Sequence, residues 1–263
     1  MNAEEHLRAG RLDEALASLQ DSIKANSADP RLRIFLFQLL SVLGAWDRAL
    51  TQLQVLHEMD PASKLLAQIF QPVLNCEALR AEVFGGKRTP LLFGQPEEWM
   101  GSMIQVTQLA AGGQFRAAKE LRDKAYETAP AVAGKINGHA FEWIADADER
   151  LGPLLEVFME GKYFWVPFSR IRKIHLEAPT DLRDCVWSAA EFLWTNGGEI
   201  SGFISTRYPQ TELVKDGSLR LGRRTEWQEH EGGFFTGLGQ RMFCTDQGEF
   251  PLLETRDIEF LTA

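Results

Sequence analysis

The chain has 263 residues, 44% of them hydrophobic and 25% charged, enough to bury one large core or two ordinary ones. A formal net charge of -9 argues against nucleic acid as the main partner, because binding phosphates needs a concentrated basic surface. Cys76, Cys185 and Cys244 are odd in number and lack a C-x-x-C pair, so neither a disulfide framework nor a zinc knuckle is indicated and reduced thiols are expected.

The opening residues Met1-Asn2-Ala3-Glu4-Glu5 are acidic and lack an apolar signal core. No apolar run reaches the roughly 18 residues of a membrane span, so a cytoplasmic protein with no membrane contact is expected. A short phrase then recurs: Gly10-Arg11-Leu12-Asp13-Glu14-Ala15-Leu16, Gly44-Ala45-Trp46-Asp47-Arg48-Ala49-Leu50, and Gly113-Gln114-Phe115-Arg116-Ala117-Ala118. Gly44 follows Gly10 by 34 positions, the period of tetratricopeptide helix pairs. In each unit the glycine ends one helix and the alanine five residues on lets the next helix pack closely against it. Pro61 and Pro130 stand at equal distances after Gly44 and Gly113, marking the end of each second helix.

Between the second and third units the spacing leaves room for one degenerate helix pair, including a helix from about 64 to 83 that Pro72 kinks or ends. Gly85 to Pro90 reads as a loop, and Pro96-Glu97-Glu98 as the start of the next helix. Residues 1–130 are thus expected to form a helical repeat domain. After Pro130, aromatic and β-branched runs broken by glycine and proline mark a second domain over 131–263. Hairpins are expected over 154–166, turning at Glu160-Gly161, and over 187–205, turning at Asn196-Gly197-Gly198. Further strands are expected over 170–177 and 250–260, with turns or short helices over 179–184 and 211–224. The fold class is α+β: tetratricopeptide-like helices followed by an α+β domain with an antiparallel sheet.

Two apolar clusters in the helical half bear on binding. On the helix from Arg31 to Leu43 one side carries Leu32, Leu36, Leu39, Leu40 and Leu43, while Ile34 and Phe37 project from the other. Ile34, Phe37, Gln38 and Ser41 are candidates to contact a partner helix in a concave groove; packing on the next pair or on the second domain is the other reading. Trp99, Met103 and Val106, with Met100 and Ile104 beside them, pose the same choice between adaptable contact surface and core.

Chemistry is thinly represented. Asp146-Ala147-Asp148-Glu149 could bind a hard cation, which keeps a metal-dependent hydrolase as the alternative function. Arg150 stands where a phosphatase of the D-x-D type would carry a hydroxyl, and the five histidines offer no ligand spacing. Gly232 to Arg241 is glycine-rich but lacks the lysine and hydroxyl of a phosphate loop. No catalytic residue, cofactor or metal ligand is assigned.

Several ordered phrases of the second half resemble the ImpE family, also called TagJ or SciE-type. They are Trp143 to Pro153 (WIADADERLGP), Tyr163 to Phe168 (YFWVPF), Pro179 to Asp184 (PTDLRD), Thr206 to Pro209 (TRYP) and Gly237 to Met242 (GLGQRM). The resemblance spans the chain, since the family also begins with degenerate tetratricopeptide-like helices. It implies a cytoplasmic, non-catalytic accessory protein of type VI secretion that binds the small sheath subunit, TssB or VipA, through that subunit's N-terminal helix. Through the sheath it would be linked indirectly to the ATPase ClpV. Trp143, Asp146, Asp148, Arg150, Arg183, Arg207 and Arg241 enter as motif positions, with Asp–Arg pairing inside the fold as one explanation for them.

Overall fold

A left-handed glycine closes the first helix of each predicted pair: φ is +71° at Gly10, +70° at Gly44 and +72° at Gly113. The computed structural model describes residues 1–59 and 63–261. The pairs are α1 (Ala3–Arg8) with α2 (Leu12–Ala25), α3 (Pro30–Val42) with α4 (Trp46–Met59), and α6 (Glu98–Ala111) with α7 (Phe115–Thr128). Ala15, Ala49 and Ala118 are completely buried, as the close approach of paired helices requires. The proline mark at Pro61 lies outside the described residues.

The intervening segment differs from expectation. Instead of a degenerate pair there is one helix, α5 (Lys64–Phe84), which runs through Pro72 without ending. Its buried residues Ala67, Phe70, Val73, Leu74, Val83 and Phe84 anchor it on both sides of the proline, so tertiary packing overrides the local break. An extended stretch follows and contributes β1 (Leu91–Leu92), which pairs in parallel with a strand of the second half.

The second half supplies thirteen further strands among the described residues: β2 (Gly134–Ile136), β3 (His139–Phe141), β4 (Ile144–Asp146), β5 (Leu154–Met159), β6 (Lys162–Pro167), β7 (Ile171–Leu176), β8 (Trp187–Trp194), β9 (Glu199–Ser205), β10 (Thr225–His230), β11 (Phe234–Gly239), β12 (Met242–Thr245), β13 (Gly248–Pro251) and β14 (Asp257–Phe260). A short helix, α8 (Gly217–Arg220), precedes β10. The β5–β6 and β8–β9 hairpins form as predicted. Glu160 and Gly161 both take positive φ, +50° and +70°, the twist a two-residue hairpin loop needs. The region 250–260 is not one strand, because a single 3-10 turn at Leu252–Glu254 separates β13 from β14. The β10–β11 hairpin carries little strand signal, because β10 is mostly polar and β11 contains Gly237 and Gly239.

A nine-stranded sheet in the order β1-β6-β5-β9-β8-β7-β14-β2-β3 forms the centre of the molecule. One face meets the helices. Here Phe70 packs on Trp187 and Phe203, with ring centroids 5.7 and 5.2 Å away, and Phe84 packs on Trp165 at 5.9 Å. The other face carries Val157, Val166, Ile174, Phe192, Ile204 and Ile258 against a small sheet, β13-β12-β4, whose Phe243 is fully buried. The helix-side cluster contains residues from both halves of the chain, so the helices and the sheet share one core. Among the described residues no helix is long and apolar enough to cross a membrane.

The two halves also meet where Gly217 of α8 lies on the turn at Gly10, so close that an added Cβ would overlap the Gly10 carbonyl oxygen. Gly217→Ala should therefore cost about 1–3 kcal/mol through overpacking and lower the thermal midpoint by several degrees. Gly101→Ala, which meets no neighbour within 4 Å on α6, should raise the midpoint in the same calorimetric measurement.

Candidate functional site

Asp146 closes β4, and the loop that follows it turns back on itself before β5. The Asp146 amide donates to the Gly152 carbonyl (2.7 Å), the Asp148 amide to Asp146 Oδ1 (2.9 Å), and the Arg150 amide to Asp148 Oδ1 (3.0 Å). Gly152 has φ +51° and leaves no room for a Cβ beneath the Tyr126 hydroxyl, which fits the loop against α7. Asp146, Asp148 and Arg150 are all buried.

These buried charges are paired. Arg150 forks onto Asp148 with Nε at 2.8 Å and a terminal nitrogen at 2.6 Å, while its guanidinium lies over the Phe84 ring at 4.9 Å. Gly237 of β11 donates its amide to the second Asp148 oxygen (2.9 Å). Arg241 is fully buried and donates to Asp146, to Glu156 of β5, and through Nε to the Ser205 carbonyl (2.7 Å). Glu156 also receives Arg80 of α5 (2.7 Å) and the Tyr163 hydroxyl (2.5 Å), and Arg80 continues to Glu77, which accepts the Trp187 indole (2.7 Å). A chain of charge thus runs from β4 through the sheet into the helical layer.

Burial works to raise Glu156, but the nearby guanidinium groups of Arg80 and Arg241 outweigh it and bring the carboxyl down to about 2. Asp146 goes the other way. Burial pushes it up to about 7 despite Arg241, with the neighbouring Asp148 charge adding to the rise. Arg207 has no carboxylate in contact, and burial lowers it to about 10. It donates instead to the Val42 (2.8 Å) and Ser41 (3.4 Å) carbonyls at the end of α3 and to the Arg220 carbonyl. Arg220 reaches the Leu43 carbonyl (3.1 Å), and Arg223 reaches Arg8 (2.8 Å) and Leu7 (3.2 Å) at the end of α1. Three arginines of the second half therefore cap the carbonyl ends of two repeat helices, where the helix dipole favours a cation.

The open groove expected in the helical half is filled. Phe37 is fully buried with Phe70 at 5.6 Å, Ser41 donates back to the Phe37 carbonyl (2.9 Å), and Gln38 is buried beside them. The 3-10 turn Leu182–Cys185 and Arg207 occupy the α3 side where a guest helix was expected, because the apolar face is satisfied within the chain. Trp99, Met100 and Met103 are buried in the same shared core, and Ile34 and Ile104 are half-buried against it. Phe37, Gln38, Ser41, Trp99, Met100 and Met103 thus pack inside the fold, the other of the two roles open to them, while Ile34 and Ile104 stay partly exposed.

The motif positions divide. Asp146, Asp148, Arg150, Arg207 and Arg241 converge on the buried junction, while Arg183 stays partly exposed, paired with Asp181 and lying over the Phe70 ring at 5.0 Å. Trp143 remains 40% exposed and lines a cleft of about 400 Å³ with Tyr126, Pro130, Ile144 and Cys244. For metal chemistry, both oxygens of Asp146 and of Asp148 are engaged by N–H donors, and no cluster of three or more potential ligands occurs among the described residues. Glu77, Arg80 and Glu156 belong to none of the motif positions. Their signal was available: Glu156 interrupts the apolar run Leu154-Leu155-Glu156-Val157-Phe158, and Glu77 with Arg80 interrupts the buried face of α5.

Arg241→Met should strip the buried Asp146 carboxyl of its cation and leave Glu156 with Arg80 alone, costing about 3–5 kcal/mol, measured by chemical denaturation. Acidity should act on the same network with two opposite signs. Glu156, whose folded value of about 2 lies below its ordinary 4.5, contributes stability that is complete above about 4.5 and lost as pH falls toward about 2. Asp146, raised from 3.8 to about 7, holds its proton better when folded, so stability declines as pH rises through that window. Unfolding free energy measured against pH should peak on the acidic side of neutrality, and Asp146→Asn should remove the decline toward neutral pH.

Comparison with known proteins agrees with this construction. The ImpE protein family matches residues 138–259, and a tetratricopeptide-repeat family matches residues 6–69. The type VI secretion system accessory component TagJ of Pseudomonas aeruginosa is 47% identical over 262 residues, 99% of this chain and 91% of TagJ. The crystal structure of a Vibrio parahaemolyticus protein shares the fold, with a TM-score of 0.90 and 24% identity over 99% of this chain and 98% of that one. A relative this similar along nearly the whole length, with the motif arginines and aspartates gathered at one junction, places the chain in the ImpE family.

Proposed function

We propose that the chain is a non-catalytic, cytoplasmic accessory protein of type VI secretion that binds the small sheath subunit, TssB or VipA, through that subunit's N-terminal helix. Acting on the sheath, it would influence assembly or the recycling driven by ClpV. The observation that carries the reading is the 47% identity to a type VI accessory component across 99% of the chain. Tetratricopeptide-like repeats, whose general use is to hold other proteins, support it. So does the internal pairing of the acidic motif, which leaves Asp146 and Asp148 engaged with arginines and backbone amides rather than facing a substrate.

With the groove of the helical half occupied by the protein's own second half, the partner is received on the outer surface. The test is titration calorimetry of the full chain against the intact small sheath subunit of the same secretion cluster and against that subunit without its N-terminal helix. Saturable binding that disappears with the helix is expected. Equal binding to both forms, or to neither, overturns the proposal.

A further inference from the structure

The helical layer covers only part of the central sheet. On the helix-facing side, β6, β5 and β9 lie under helices through Trp165, Phe158 and Phe203. Beyond Trp187, which Phe70 still covers, the same face continues bare across the rest of β8, β7 and β14, where Glu191, His175 and Glu259 meet solvent. At the step between covered and bare halves stands α5, whose Leu65 and Ile69, one turn apart, are 63% and 41% exposed. Two large aliphatic side chains on one side of a helix, beside an uncovered sheet, form a wall and a floor with no element laid along them among the described residues.

Hollows run along this step. One of about 190 Å³ lies between Ile69, Arg183 and Phe203; one of about 220 Å³ lies between Ile69, Pro72, Gly161 and Phe203. The second shares Ser201 with a wider hollow of about 550 Å³ over Lys173, His175, Glu191 and Leu193. The charges around the trough are unbalanced. Lys173 is neutralised by Asp257 and Glu259, His175 sits on Asp257, and Arg183 is paired with Asp181. Glu160, Glu177, Glu191 and Glu199 line the same hollows and, among the described residues, make no ion pair or side-chain hydrogen bond. Lys64, beside Leu65 in the chain, and Lys135, opposite Glu259, are both exposed.

We infer that this trough is the docking site for an amphipathic helix bearing lysine or arginine, laid beside α5 so that its apolar stripe covers Leu65 and Ile69. Its cations face Glu160, Glu177 and Glu191. The inference rests on the reading of the chain as a helix-capturing sheath accessory and specifies where on it the helix sits. A helix in this place extends the existing layer by one member, at the same spacing over the sheet as α5, and finds an acidic rim that favours its charge and speeds its approach.

The experiment uses the full chain and a synthetic peptide of the small sheath subunit's N-terminal helix, followed by calorimetry at two salt concentrations. The double variant Leu65→Glu/Ile69→Glu should bind at least tenfold more weakly, and Glu177→Lys/Glu191→Lys should bind more weakly and with less salt dependence. Both should keep the unaltered thermal midpoint, because the changed side chains are exposed. Trp143→Ala should bind like the parent chain. Peptide binding that survives both double variants, or that is lost in Trp143→Ala instead, overturns the placement while leaving the sheath-binding function standing. If the parent chain binds neither peptide nor intact subunit, the functional reading fails and the placement with it. Self-association abolished by Leu65→Glu/Ile69→Glu in light scattering would assign the trough to a second copy of the chain and overturn the inference.

Discussion

A single guanidinium, that of Arg241, holds two carboxylates from two different sheets, with all three side chains fully buried. Arg80 continues the bridge from Glu156 into α5, so the helical and strand halves are joined through charge as well as through aromatic packing. A buried ion pair adds little net stability over a well-packed apolar one, but it is exacting about geometry. If β4, β5 and α5 shift relative to one another, a desolvated charge loses its partner, so the network favours one mutual placement of the halves. The arginine caps on α1 and α3 act in the same sense, because each requires the second half to reach a particular helix end.

That placement decides which surfaces stay open. Tetratricopeptide arrays commonly use their concave side for partners, but here α3 receives a 3-10 turn and Arg207 from the same chain. The hydrophobic faces that make the repeats recognisable are consumed in folding. The surface left for others is what the shared core does not need: the flank of α5, the bare side of the sheet and the cleft at Trp143.

Much of the architecture was legible in the residues because local rules set it. Gly10, Gly44 and Gly113 mark helix ends whose left-handed backbone favours glycine, and Glu160-Gly161 and Asn196-Gly197 mark hairpin turns for the same steric reason. The exceptions lie where long-range packing overrides local preference. Pro72 stays inside a helix because residues on both sides of it are buried, and β1 forms because the strand beside it offers a partner edge. Of the motif positions, the sequence could suggest that Asp146, Asp148, Arg150 and Arg241 pair among themselves, but not that Glu156 and Arg80, far away in the chain, complete the set.

The order of residues by itself determined the repeat period, the change from helix to strand near Pro130 and the family phrases, since each depends on neighbours within a turn or a hairpin. Only the tertiary structure decided which apolar faces remain available. Phe37 and Ile69 belong to the same class of apolar residue at helical spacing, yet one is sealed beneath Phe70 and the other faces solvent. Burial is a property of what lies opposite, and α3 is closed both by Phe70 of α5 and by Arg207 from more than a hundred positions away.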